Sequence, residues 1–217
     1  KQTEKKIALL AGLVLIVLLA TLPFLPRIGL GIIITFIGLI WILWSYLSPP
    51  RSLDPIDKWV LIFIGVSILS TLLSPVPIAA FKGLIKMLAY LTIYALLRKL
   101  LCFSSLWWDR LLSSLLLGEV ISCLLALRQI YNPFQEVNAW SDQEFLAQGV
   151  FRIYGSFGNP NLLAGYLVPI LPLSIVAIFR WKRISAKFFA ILAFFLGIIS
   201  VIFTYSRGGW LGSITAL

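Results

Sequence analysis

The side chains in this chain best suited to chemistry are cationic, and cations held at fixed positions bind anions. Arg207 lies in Ser206-Arg207-Gly208-Gly209-Trp210, between two apolar stretches with almost no connecting sequence. That spacing predicts a tight Gly-Gly turn at a membrane boundary. A planar guanidinium there suits two-point contact with phosphate oxygens, or else meets lipid headgroups alone. Lys82 and Lys86 are four residues apart, followed at the same spacing by Tyr90 and Tyr94, so the lysines share a helix face. They either reach lipid phosphates from the interface or form a site for an anionic headgroup or substrate. In Arg152-Ile153-Tyr154-Gly155-Ser156-Phe157-Gly158-Asn159-Pro160-Asn161, the Asn-Pro pair predicts a helix start with Asn159 as cap and Pro160 as first helical residue. The backbone N–H groups and dipole of such a start are receptive to phosphate or carboxylate, and Gly155 and Gly158 would let a ligand approach the backbone. Ordinary capping is the alternative. Glu119 lies inside an apolar run, where an ionisable group either serves function or fastens one helix to another.

The chain has no histidine, which removes Ser-His-Asp catalysis, His-ligated zinc and bis-His haem within these residues. No metal ligand set and no cofactor is expected. Cys102 and Cys123 form no CxxC pattern and read as packing or lipid-facing thiols.

These side chains must be positioned by membrane helices. The 217 residues are 60% hydrophobic and only 12% charged, with mean hydropathy +1.01. A soluble domain carries roughly 25% charged residues and could not hide so much apolar surface. Seven apolar runs of suitable length cover 7–22, 28–47, 59–73, 79–97, 111–127, 162–179 and 188–205, and an eighth begins near Trp210. The expected fold class is an all-α polytopic bundle of seven complete spans and the start of an eighth. No central pair of spans broken by Gly or Pro is evident. The chain opens on Lys1 and stops within that eighth run, which reads as the amino-terminal part of a longer protein.

A net charge of +10 in such a chain speaks to topology rather than to nucleic acid. With the amino terminus in the cytoplasm, twelve Lys and Arg residues fall inside and six outside: Arg27, Lys82, Lys86, Arg128, Arg152 and Arg207. Interfacial tryptophans, among them Trp41, Trp44, Trp59, Trp107, Trp108 and Trp181, gather at the same inner ends. Topological bias therefore does not explain the six outer cations. One single membrane domain over 1–217 is expected, with one sizeable extracytoplasmic loop at 128–160 that carries Glu136, Asp142 and Glu144.

The Ser206-Arg207-Gly208-Gly209-Trp210-Leu211-Gly212 segment and the layout before it resemble the O-antigen ligase and polymerase superfamily. The stretch from Tyr154 to Leu167 is similar to its cyanobacterial IctB-type branch, associated with bicarbonate transport. The resemblance implies transfer of a glycan from an undecaprenyl-diphosphate carrier to an acceptor at the outer face of a bacterial plasma membrane, without metal or nucleotide. It makes Arg207 a diphosphate-binding residue and Lys82, Lys86, Arg152 and Asn159 its helpers. The catalytic histidine of such ligases would lie beyond Leu217, and Glu119, Glu136, Asp142 and Glu144 are the carboxylates available as a base. The same cations would serve bicarbonate transport, the first alternative. A structural membrane subunit is the second.

Overall fold

The computed structural model describes residues 2–48, 54–131 and 152–217, and every regular element among them is helical. The helices are α1 (Gln2–Thr21), α2 (Arg27–Leu47), α3 (Pro55–Leu72), α4 (Pro77–Phe103), α5 (Leu106–Tyr131), α6 (Pro160–Leu167), α7 (Ile170–Arg180), α8 (Ile184–Phe203) and α9 (Arg207–Ala216). Single 3-10 turns cover Leu22–Phe24 and Gly155–Phe157. Seven segments are long and apolar enough to cross a membrane, the sixth being Pro160–Arg180, in which α6 and α7 run consecutively. The chain is a multi-pass membrane protein. Of the expected 128–160 loop, Arg128 belongs to α5, while 132–151, with Glu136, Asp142 and Glu144, lie outside the described residues.

The contacts divide the chain into two compact units. The first is Lys1–Leu15 with Pro26–Trp107. Its α2 buries Ile34, Ile37, Ile40 and Trp44, a stripe at helical spacing, and α4 buries Leu96 and Leu100. Polar groups tie the helix ends. Lys99 Nζ donates to the Ser48 carbonyl at 2.7 Å and to Ser45 Oγ at 3.2 Å, and lies 5.3 Å from the Trp44 ring centre. Ser48 also hydrogen-bonds Glu4. At the start of α3, Asp57 accepts from the Asp54 N–H and from Tyr94, while Arg98 bridges Asp54 at 2.9 Å and Asp57 at 2.5 Å. The Tyr94 that the Lys82–Tyr94 spacing singled out is thus engaged in holding α3 to α4.

The second unit is Ile16–Leu25 with Trp108–Leu217. Leu112, Leu116 and Val120 of α5 pack with Ile170 and Ala177 of α7 and with Ala190 and Ala193 of α8. Small side chains let these helices approach closely, which is how helices associate where lipid is as apolar as leucine. At Gly118 α5 meets backbone directly: a Cβ there would stand 2.8 Å from the Ala20 carbonyl oxygen and 2.9 Å from that of Leu19. Asp109 accepts from Arg180 at 2.7 Å and from the Trp181 indole at 3.2 Å, locking the far end.

The sixth span is one stretch, Pro160–Arg180, with a local interruption: Pro169 and Pro172 lack the N–H groups that would bond the Gly165 and Val168 carbonyls four residues back, so α6 stops at Leu167 and α7 restarts at Ile170, while Val168 and Pro169 between them keep right-handed helical angles. One expectation is corrected: Gly208 and Gly209 do not form a turn. Tyr205, at φ 49°, reverses the chain, and α9 begins at Arg207 rather than near Trp210. Ser206 supplies the cap, its Oγ accepting from the Gly209 N–H at 3.2 Å.

Candidate anion-binding cleft

Arg152 and Arg207 come together. They line one cleft of about 760 Å³ in the second unit, with Asn161, Gly165, Val168, Tyr205, Ser206, Gly208 and Gly209. Three chain segments build it: the strand-like approach to α6, the α6–α7 break, and the reversal between α8 and α9.

Arg152 is held by the backbone around it. Its Nε donates to the Thr204 carbonyl at 2.9 Å and its Nη2 to Asn161 Oδ1 at 3.2 Å. The Ile153 N–H donates to the Phe203 carbonyl at 3.1 Å, and Ile153 itself is fully buried. Gln129 of α5 completes the support: its Oε1 accepts from the N–H groups of Tyr154 and Gly155, both at 3.0 Å. Gly155 and Gly158 sit at φ 57° and 65°, the left-handed region that favours glycine, and this lets the chain fold back before α6. The glycines thus serve the turn.

Asn159 caps α6 as the Asn-Pro pair predicts, its Oδ1 accepting from the Asn161 N–H at 2.8 Å, with Pro160 as first helical residue. This closes the α6 terminus. Pro160 has no N–H, Asn161 donates to the cap side chain, and Leu162 and Leu163 donate to the Asn159 carbonyl. No N–H remains there for an anion, and Asn161 rather than Asn159 lines the cleft. Replacing Asn159 by alanine should remove the cap and lower stability by about 1 kcal/mol, whereas Asn159→Asp should be nearly neutral. Thermal unfolding of the two variants in one detergent would measure both.

The open helix start belongs to α9. Gly209 donates to Ser206 Oγ, and Trp210 to the Ser206 carbonyl at 2.9 Å. Arg207 and Gly208, as the first two helical residues, have N–H groups with no acceptor inside the helix. The Arg207 guanidinium itself is exposed and makes no hydrogen bond or ion pair to any described residue. Among the described residues no carboxylate lines the cleft. The unpaired Arg207 guanidinium, two backbone N–H groups and the positive end of a helix dipole therefore meet in one concavity beside the Arg152 guanidinium, which its own partners hold in place, and this is an arrangement for a multiply charged oxyanion. Gly209 makes it possible, since a Cβ there would stand 2.7 Å from the Ala164 Cβ and force α9 away from α6.

Lys82 and Lys86 are exposed on the early turns of α4 in the first unit. Glu119 is wholly buried in α5 of the second unit, and Ser174 of α7 is the partner it meets there. Among the described residues no group of three or more His, Cys, Asp or Glu side chains exists to hold a metal ion. Sequence reasoning passed over Asn161, Tyr205 and Ser206; of these only Ser206 carried a local signal, as a serine preceding an apolar run by a helix-cap spacing. No protein-family model, curated protein or solved structure matches this chain.

Proposed function

We propose that this protein binds the diphosphate of a lipid-linked glycan in the Arg152–Arg207 cleft and acts in glycan transfer, in the manner of the O-antigen ligases that its Ser206–Gly212 segment resembles. The observation that carries the reading is Arg207: an arginine without a described protein partner, at an open helix start, facing a cleft that a second arginine and, among the described residues, no carboxylate lines. A membrane-embedded diphosphate is a leaving group on which charge builds as the glycosyl C–O bond breaks, and fixed cations in a low-dielectric setting favour that state. Lys82 and Lys86, exposed on the first unit, would meet lipid headgroups. The acceptor hydroxyl needs a base, and none of the described residues lining the cleft is one. The test is the level of lipid-linked glycan in membranes that contain the wild-type full-length protein, set against membranes with Arg207→Ala at equal abundance. Carrier accumulation in the variant supports the reading, and equal levels oppose it.

The second reading is bicarbonate transport, and what favours it is the proline interruption of the sixth span, which lines the cleft through Gly165 and Val168 and frees backbone carbonyls within a membrane helix. Under that reading Arg207→Ala abolishes bicarbonate uptake and leaves lipid-linked glycan untouched.

Both readings put the cleft outside the cytoplasm, in a bacterial plasma membrane with the amino terminus inside, on the strength of the twelve-to-six distribution of Lys and Arg. A cysteine at Ser141, with Cys102 and Cys123 replaced, should then react with impermeant reagents in intact cells. Reaction only after permeabilisation would reverse the topology.

A further inference from the structure

The core of the second unit contains a set of oxygens that the cleft does not use. Glu119 is fully buried, and so are Ser122 of α5 and Ser174 and Ser200 of α7 and α8. Tyr166 of α6 and Cys123 of α5 lie close enough to Glu119 to interact with it electrostatically. Glu119 Oε1 rests directly against α8 at Gly197, where an added Cβ would come within 2.5 Å of it. Ser200 is three residues further along the same helix, and Ser122 three residues beyond Glu119 on α5, so both share its face.

The hydrogen bonds of this set are lopsided. Glu119 Oε2 accepts from Ser174 Oγ at 3.4 Å, a weak bond whose single proton is shared with the Ile170 carbonyl at 3.2 Å. Oε1 has no partner among the described residues, and neither do the hydroxyls of Ser122 and Tyr166, while Ser200 faces the Cys123 thiol. An ionised carboxylate buried in a membrane helix bundle would draw donors to both oxygens and need a cation beside it. Three hydroxyl donors stand in its surroundings, and none donates to Oε1. Among the described residues the polar groups on its side are Ser122 and Cys123 of α5, Tyr166 of α6, Ser174 of α7 and Ser200 of α8, and none is cationic. One oxygen that accepts and one that receives no donor is the pattern of a carboxylic acid, whose carbonyl oxygen accepts and whose hydroxyl oxygen gives.

We propose that Glu119 is a proton-binding site of the membrane interior, held as the neutral acid with Oε2 against the Ser174 hydroxyl and its proton on Oε1. Acids placed this way mark proton relays in membrane proteins. The proposal stands whatever anion the cleft takes.

Infrared difference spectroscopy of the full-length protein in lipid bilayers at neutral pH tests it. The wild type should show the carbonyl stretch of a protonated, buried carboxylic acid, and Glu119→Gln should lack it. Ser174→Ala keeps the acid and removes its one donor, so the band should persist and move to higher wavenumber; this variant carries the test if Glu119→Gln fails to insert. Absence of the band from folded wild type overturns the proposal. So does a band that disappears when sodium or potassium is added at constant pH, because the site would then be one for a metal cation.

Discussion

Replacing Arg207 by alanine should lower turnover of the lipid-linked substrate by about 10²–10³-fold, the usual effect of removing one donor aimed at a developing oxyanion. The size follows from the site. Arg207 has no described protein partner that would be left unpaired, so its removal spares the fold and takes away only what it offers to a ligand. Arg207→Lys should recover little of the loss. The ammonium retains the charge but not the planar fork, and a flexible point charge at the start of α9 does not reproduce two parallel N–H donors. An arginine that only touched headgroups would tolerate lysine. Steady-state rates at saturating substrate, normalised to inserted protein, separate the two outcomes, and Gly65→Ala, in α3 of the first unit, provides a control with no predicted effect on rate.

The largest effect on stability is expected at Gly118. In most helices glycine to alanine is stabilising by about 1 kcal/mol, because alanine restricts the unfolded chain. At Gly118 the sign should reverse. The added methyl would meet the backbone oxygens of Leu19 and Ala20, which cannot swing aside as a side chain can, and the strain should lower stability by about 1–3 kcal/mol. Gly65 and Gly83 have nothing within 4 Å of the same position, so alanine there should be neutral or mildly stabilising. Parallel unfolding curves in mixed micelles would show Gly118→Ala shifted down and the other two unchanged or shifted up.

The spans were legible because their signal is additive and local: twenty apolar residues need no knowledge of neighbours, and the runs at 28–47 and 188–205 match α2 and α8 to within a few residues. The Asn159 cap was legible for the same reason, since Asn-Pro acts within four residues. What failed was punctuation whose meaning is tertiary. Gly208 and Gly209 look like a turn by composition, yet Gly209 is small because Ala164 lies against it, and the reversal falls instead on Tyr205, a residue type that rarely adopts positive φ. Pro169 and Pro172 were in plain view within an apolar run, but whether proline kinks or breaks a helix depends on what satisfies the freed carbonyls. The pairing of Arg152 with Thr204, and of Glu119 with Ser174, joins residues more than fifty positions apart, and no spacing rule reaches that far.

The central claim is that the cleft beside Arg207 holds a diphosphate. Equilibrium binding of undecaprenyl diphosphate to the full-length protein in nanodiscs addresses it without any acceptor or turnover. The account predicts saturable binding to wild type that weakens about tenfold or more in Arg207→Ala, as loss of 1.4 kcal/mol or more of charge-assisted hydrogen bonding requires, and that falls as salt rises. Equal affinity in wild type and in a normally inserted Arg207→Ala protein would contradict it.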